Sequence, residues 1–284
     1  MANLKPAEAT DPAGGLDRRN AAFWNELCGT GAARMLGITD GSPSSLKRFD
    51  DWYMSFYPYL RRHIPFKRVG GKKVLEVGLG YGTVANLLGE AGAVYTGLDI
   101  SEGPVRMANA RFQASGFDGS AQVGSILRAP FGDEIFDYVI SIGCFHHTGS
   151  IQRAVDETFR VLRPGGICVF MLYNALSYRR WLLFPWATAQ VWWSDVVGGT
   201  PPPAGERERL KYDANSVGEA APCTEFVSPG KMRRIMRRFS RVRLVLENVA
   251  SEGPLRYVAR DVLLRSLLVR HFGLDAYITA EKPG

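Results

Sequence analysis

The 284-residue sequence has few cysteines and no long hydrophobic run. Its four cysteines, Cys28, Cys144, Cys168 and Cys223, are scattered and form no Cys-x-x-Cys pair. This spacing argues against a disulfide framework and against a cysteine-based zinc site, and it favours a reducing, cytoplasmic location. The most apolar stretch, residues 181–193, is shorter than the roughly 20 residues that a transmembrane helix needs. We therefore predict no membrane span and no metal site.

The composition is that of a folded chain with an ordinary core. Hydrophobic residues make up 46% and charged residues 22%, which excludes a disordered or a collagen-like chain. Residues 1–17 contain proline, glycine and charge without an apolar segment, so we expect a flexible tail rather than a signal peptide. The net charge of +7 is compatible with nucleic acid, an acidic membrane or an anionic substrate.

Helical patterns precede a region in which strands and helices alternate. Apolar spacing predicts helices over residues 20–36 and 50–64, and Pro58 is expected to kink or split the second one. These helices predict an N-terminal helical cap over residues 18–70. From residue 71 to residue 284, short apolar runs alternate with helices, which predicts an α/β domain with a doubly wound, mostly parallel sheet.

The alternation is interrupted once. Residues 175–229 contain a tryptophan-rich stretch, a Gly-Gly-Thr-Pro-Pro-Pro turn and a polar segment. Because this segment follows the fifth predicted strand, we expect an inserted lid beside the site.

The strongest motif is the segment 74–83, in which an apolar strand leads into three glycines and a helix. Glycine allows a tight turn, and a helix N-terminus offers free N–H groups to a ligand. Nicotinamide enzymes have a similar loop, but Thr83 stands where their motif has its third glycine, and Glu76 would lie beside an anionic pyrophosphate. A carboxylate there suits a cationic ligand. Asp99 follows the next strand and is placed to accept hydrogen bonds from a ribose.

Four ordered segments resemble those of class I S-adenosylmethionine-dependent methyltransferases. The glycine loop resembles the first motif of that family, residues 97–101 its second, residues 129–139 the approach to its fourth strand, and residues 161–166 the turn before its fifth. The resemblance implies a Rossmann-like, seven-stranded sheet of order 3-2-1-4-5-7-6, with S-adenosylmethionine as the cofactor.

The resemblance also implies which residues contact the cofactor. Glu76 and the loop glycines would surround the methionyl part, Asp99 the ribose and Ile100 the adenine. Ser125 stands where the family usually has an acid for the adenine amino group. The predicted cofactor-binding positions are Glu76, Gly78, Gly80, Gly82, Asp99, Ile100, Ser125, Ile126 and Gly143.

The acceptor side carries a weaker signal. We expect methyl transfer to an oxygen or nitrogen of a small molecule. His146 and His147 follow the fourth strand and are candidates for the general base, with packing as the alternative role. Tyr53 and Tyr57 on the second helix, and Trp181 in the lid, are candidate acceptor-binding residues, with core packing as the alternative.

Two alternative functions remain open at this point. The basic segment 231–238 suggests a nucleic-acid-binding relative of these enzymes. Apolar residues at 232, 235, 236 and 239 instead predict a buried stripe under an ordinary charged face, so we expect no nucleic-acid partner. The tryptophans of the lid suggest a membrane-surface enzyme that methylates a lipid or quinone. No oligomeric state is predicted.

Overall fold

The computed structural model describes residues 12–26 and 31–284. The strands are β1 Lys73–Val77, β2 Val94–Asp99, β3 Gly119–Val123, β4 Phe136–Ile142, β5 Leu162–Tyr173, β6 Ser240–Glu247 and β7 Asp275–Glu281. The helices are α1 Pro12–Trp24, α2 Gly31–Met35, α3 Pro43–Phe56, α4 Leu60–His63, α5 Thr83–Glu90, α6 Glu102–Ser115, α7 Ile151–Val161, α8 Tyr178–Leu183, α9 Pro185–Val197, α10 Glu206–Leu210, α11 Pro229–Ile235, α12 Arg260–Leu264 and α13 Leu267–Phe272.

The seven strands form one sheet of order β3-β2-β1-β4-β5-β7-β6. The first five pair in parallel, while β7 runs antiparallel to both β5 and β6. The predicted α/β, doubly wound architecture and its strand order are therefore confirmed. The order reverses between β1 and β4, and ligands of open α/β sheets bind at the carboxyl edge beside such a point.

Both faces of the sheet are covered by apolar side chains. Leu75 and Val77 of β1 belong to the buried cluster on one face of the sheet. Val74 belongs to a second buried cluster, on the other face. Successive side chains of a strand point to opposite faces, so a strand buried on both faces is apolar without alternation. This accounts for the uninterrupted apolar run at 167–172 in β5.

The N-terminal region differs from its predicted boundaries. Helix α1 begins at Pro12, inside the segment 1–17 that the sequence assigns to a flexible tail. In place of one predicted helix over 20–36, the structure has the end of α1 and the short helix α2. Cys28 lies outside the described residues. As predicted, Pro58 splits the next helix: α3 ends at Phe56 and α4 begins at Leu60.

The inserted segment 175–229 carries α8, α9 and α10. A buried ion pair of 3.0 Å between Arg180 Nη1 and Glu208 Oε1 joins α8 to α10. Val191 of α9 packs against Phe226 near the end of the segment. Within the described ranges, no helix is both long and apolar enough to cross a bilayer.

Helix α11 and the turn after it pack against the sheet with one apolar stripe. The side chains of Met232, Ile235, Met236 and Phe239 are buried. The predicted stripe is confirmed, and the neighbouring arginines lie on the exposed face.

Candidate active site

The loop after β1 forms the floor of a cavity at the carboxyl edge of the sheet. Gly78 has a φ of +81°, and a Cβ added there would overlap the Cβ of Cys144, so only glycine fits. Gly80 lines the cavity, and a Cβ at this position would meet nothing within 4 Å. Gly82 precedes α5 and faces the side chain of Arg111. Among the described residues, the cavity wall includes two of the three loop glycines, Gly78 and Gly80, but not Gly82.

Glu76 is a buried carboxyl group in the cavity wall. Its Oε2 accepts a hydrogen bond of 2.8 Å from the hydroxyl of Tyr95. Burial raises the pKa of Glu76 to about 8, and the charge of Asp99 adds to this rise while the Tyr95 hydrogen bond opposes it. A cationic group bound beside Glu76 would restore its charge, so this position selects for positive charge.

Asp99 is the last residue of β2, and its carboxylate holds the glycine loop after β1 in place. Its Oδ2 accepts a hydrogen bond of 2.8 Å from the backbone N–H of Leu79, and its Oδ1 accepts one of 2.9 Å from Ser101. Burial nevertheless raises the pKa of Asp99 above its ordinary value. The carboxyl group lines the cavity, as a ribose-binding role requires.

The remaining cofactor positions cluster on the same cavity. Ile100, Ser125, Ile126 and Gly143 all line it. The Oγ of Ser125 accepts a 3.4 Å hydrogen bond from the backbone N–H of Leu127, so this hydroxyl helps to form the turn that follows β3. Eight of the nine predicted cofactor positions thus meet in one cavity of about 370 Å³, a volume within the usual range for small-molecule sites.

The rest of the cavity wall is aromatic and comes from the N-terminal helices. Tyr53, and Tyr57 just beyond the end of α3, line the cavity; both are candidate acceptor-binding residues from the sequence. Trp24 of α1 also lines it, although no motif or periodicity in the sequence marks this residue. In the part of the chain that the structure describes, Trp181 does not line this cavity.

An ion pair attaches α3 to the sheet-bound helices. Asp50 accepts two hydrogen bonds from the guanidinium of Arg111, of 2.8 and 3.0 Å, and a third of 2.6 Å from the hydroxyl of Thr83. Arg111 is buried on α6 and Thr83 begins α5. This contact therefore holds the aromatic wall in place over the glycine loop.

His147 lies in the cavity wall with a defined tautomer. Its Nδ1 is 2.7 Å from the backbone carbonyl oxygen of Cys223. Because a carbonyl only accepts hydrogen bonds, Nδ1 carries the proton and the neutral ring presents an unprotonated Nε2. Burial lowers the pKa of His147 below its ordinary value. The backbone carbonyl of His147 accepts a hydrogen bond of 2.7 Å from Asn20 of α1, and the ring packs on Trp24.

Asp213 of the inserted segment faces His147. Its Oδ2 lies 3.6 Å from Nε2 of His147, and its Oδ1 accepts a 3.1 Å hydrogen bond from Tyr173. Oδ2 is buried without a hydrogen-bond partner among the described residues, and burial raises the pKa of this carboxyl group. Two acceptor atoms therefore face each other at the cavity, and the pair can accept one proton. The sequence offers no signal for Asp213, which lies in a polar segment without periodicity.

His146 occupies a different environment. It is fully buried, packs against Tyr173 and His147, and is absent from the cavity wall within the described residues. Neither ring nitrogen has a hydrogen-bond partner in the described part of the chain, and burial lowers its pKa well below the ordinary value. The ring is therefore neutral at pH 7, and its contacts are those of a packing residue.

Fold and site together define a class of protein. A sheet of order 3-2-1-4-5-7-6, a glycine loop after β1, and acids at the ends of β1 and β2 around one cavity are the features of a class I S-adenosylmethionine-dependent methyltransferase.

Comparison with known families agrees with this assignment. Residues 75–170 match the family described as a methyltransferase domain. Residues 75–170 therefore form a methyltransferase domain, and the predicted class of enzyme, with S-adenosylmethionine as its cofactor, is confirmed for this segment.

Related proteins match over the same region. The chain is 38% identical over 100 residues to a phthiotriol/phenolphthiotriol dimycocerosates methyltransferase from Mycobacterium tuberculosis. This match covers 34% of this chain and 36% of that protein. It is 35% identical over 102 residues to 24-methylenesterol C-methyltransferase 2 from Oryza sativa, covering 35% of this chain and 28% of that one. The chain thus spans about a third of the length of these relatives.

One solved structure shares the fold over nearly the whole chain. The geranyl diphosphate C-methyltransferase from Streptomyces coelicolor superposes with a TM-score of 0.55 at 15% identity, covering 98% of this chain and all of that one. At this identity the likeness concerns the fold alone.

Proposed function

We propose that this protein transfers the methyl group of S-adenosylmethionine to an oxygen or nitrogen of an apolar small molecule, with a hydroxyl group as the favoured acceptor. The observation that carries the proposal is the pairing, in one cavity, of the predicted cofactor positions with the His147–Asp213 pair. In this proposal, one cavity contains the donor site, the proton acceptor and the aromatic side chains that contact the acceptor molecule.

The residues at the glycine loop fit the proposed cofactor. Glu76 is a buried carboxyl group suited to the positively charged methionyl part, and Gly80 leaves open space beside it. Asp99 would hold the ribose, with Ile100 and Ser125 beside the adenine. When bound, S-adenosylmethionine supplies a methyl group on a positively charged sulfur.

The aromatic wall suits an apolar acceptor. Trp24, Phe49, Trp52, Tyr53 and Tyr57 contribute rings to the cavity. Burial raises the pKa of both tyrosines, so their hydroxyl groups are neutral at physiological pH and can donate hydrogen bonds. Aromatic faces also stabilise a nearby cation. Relatives named for a dimycocerosate and a sterol add support for an apolar acceptor.

His147 would act as the proton acceptor. A hydroxyl group that gains a methyl group must lose its proton, and Nε2 of His147 would take it up. Asp213, 3.6 Å away, would stabilise the resulting charge on the ring. A positioned general base contributes roughly 10²–10⁴-fold to such a reaction. The structural environment of His146 gives it no comparable role.

A labelled-methyl assay tests the proposal. The chain is incubated with S-adenosylmethionine carrying a labelled methyl group and with separate pools of long-chain alcohols, sterols, amines and isoprenoid alkenes. We expect label in the alcohol or sterol products, at oxygen. Label on carbon would overturn the proposed acceptor atom, and absence of transfer to every pool, despite cofactor binding, would overturn the proposed acceptor class.

Two histidine variants test the base. We expect His147→Gln to lower kcat by about 10²-fold or more with little change in cofactor affinity. His271→Gln changes an exposed histidine on α13 and serves as the matched control. Equal activity of the two variants would exclude His147 as the base.

A further inference from the structure

The charged side chains of the active-site cavity are all acidic. Four carboxyl groups line it, and no lysine or arginine in the described part of the chain does so, although the whole chain carries a net charge of +7. The four acids are Asp17, Glu76, Asp99 and Asp213. S-adenosylmethionine combines a sulfonium and an ammonium group with one carboxylate, so its net positive charge does not balance these acids. The cavity therefore offers negative charge to the second molecule that it binds.

Two of the four acids lie on the acceptor side of the cavity. Asp213 faces His147 at 3.6 Å. Asp17 lies on α1, three residues before Asn20, whose side chain donates a hydrogen bond to the backbone carbonyl of His147. Residues three apart lie on one side of a helix. Both acids therefore border the part of the cavity that contains His147.

The basic side chains near this part of the cavity do not enter its wall. Arg179 is close enough for its charge to act on Asp213, but it pairs at 2.6 Å with Glu252. Arg18 and Arg19 of α1 are exposed. An anionic group bound beside His147 would thus meet carboxyl groups without a basic partner in the described cavity wall.

The unpaired polar atoms on this side are hydrogen-bond acceptors. Asn20 is 4% exposed and lines the cavity. Because its Nδ2 donates to His147, the side chain is held in one orientation, and its Oδ1 has no partner among the described residues. Oδ2 of Asp213 is likewise without a hydrogen-bond partner there. The bound molecule must supply the donors, and an ammonium group supplies three together with a positive charge.

Resting on the proposed function, we propose that the acceptor molecule is an apolar amino alcohol. Its hydroxyl group is methylated, its ammonium group is held on the acidic side of the cavity by Asp213 and Asp17, and anionic molecules are excluded. Trp24 lines the cavity and packs on the ring of His147, so an aromatic face adds to the stabilisation of the cation. A carboxylate or phosphate group in the same place would be repelled.

Calorimetry with three matched ligands tests the proposal. The full chain is saturated with S-adenosylhomocysteine, so that no methyl group is transferred. The ligands are 2-amino-1-octanol, 1,2-octanediol and 2-hydroxyoctanoate, which share an eight-carbon chain and are a cation, a neutral molecule and an anion at pH 7. We expect the dissociation constant to rise about tenfold at each step in this order. Equal affinities, or tightest binding of the anion, would overturn the proposal.

Acid variants locate the source of the selectivity. Asp213→Asn should reduce the affinity ratio between the amino alcohol and the hydroxy acid about tenfold, and Asp17→Asn, at a partly exposed position, about threefold. Asp118→Asn is the matched control. It removes an exposed carboxyl group just before β3, at the amino edge of the sheet and away from the cavity, and should keep the wild-type ratio. A wild-type ratio in both Asp213→Asn and Asp17→Asn would overturn the assignment.

The ligand series separates this inference from the proposed function. Binding of S-adenosylhomocysteine shows that each variant is folded. If the expected order of affinities is found but none of the three ligands is methylated with S-adenosylmethionine, the charge selection stands and the proposed transfer fails. Methylation of the diol at oxygen without any dependence of affinity on charge would support the proposed function and overturn the charge selection.

Discussion

Replacing Glu76 by glutamine should uncouple cofactor binding from proton release. In the wild type, burial raises the pKa of Glu76 to about 8, so the carboxyl group is about nine-tenths protonated at pH 7 without ligand. A positively charged group bound beside it favours the ionised form, and the proton leaves. Glutamine keeps the shape and the contact with Tyr95 but has no proton to release.

The size of the effect follows from the pKa. Binding at pH 7 should release about 0.9 proton, and the apparent dissociation constant should fall about tenfold between pH 6 and pH 7. Stability should show the opposite dependence. The folded-state pKa lies above the ordinary 4.5, so the stabilising contribution is fully present below about pH 4.5 and is lost as the pH rises through about 8.

Calorimetry with S-adenosylhomocysteine, in buffers that differ in ionisation enthalpy, measures the released protons directly. Glu76→Gln should release almost none, and its dissociation constant should be flat over this pH range. Asp99→Asn is the control, since it should weaken binding while the proton release persists. Wild-type proton release in Glu76→Gln would refute the reasoning.

Two further predictions concern the structure around the cavity. Asp50→Ala leaves a buried guanidinium unpaired and should lower the free energy of unfolding by about 3 kcal/mol. Asp51→Ala breaks an exposed pair with Lys47 and should leave stability almost unchanged. Equal costs in urea denaturation would contradict this. Gly78→Ala should abolish cofactor binding and destabilise the fold through its overlap with Cys144, whereas Gly71→Ala, also at positive φ but in open space, should keep wild-type affinity. Equal affinities of these two variants in the same calorimetric assay would exclude the steric argument.

The positions proposed for the donor could be predicted to meet in one cavity, because they directly follow strands whose places in the sheet can be read from the sequence. β1 is an apolar run buried on both faces, and the loop that follows must turn sharply to begin α5. Glu76 and Asp99 lie at the ends of neighbouring parallel strands, so the strand pattern alone brings them to one edge.

On the acceptor side, Tyr53, Tyr57 and His147 could be singled out from the sequence, but Asp213 and α1 could not, because tertiary contacts alone position them. Asp213 is far from His147 in sequence, and only the folding of the inserted segment brings the two side chains together. Helix α1 lies against the site through the hydrogen bond from Asn20, which has no local sequence signal. An apolar run after the fifth strand also does not specify which of its tryptophans face inwards, so the prediction for Trp181 fails at this cavity in the described part of the chain.

The two halves of the cavity come from different parts of the chain. The groups around the donor lie between Glu76 and Thr148, inside the segment 75–170 that matches the methyltransferase domain. Most of the aromatic wall and Asp213 come from outside that segment. If the cavity is used as we propose, substitutions in α1, α3 or the inserted segment would change which molecule is methylated without disturbing the donor site, and acceptor preference would evolve separately from cofactor chemistry.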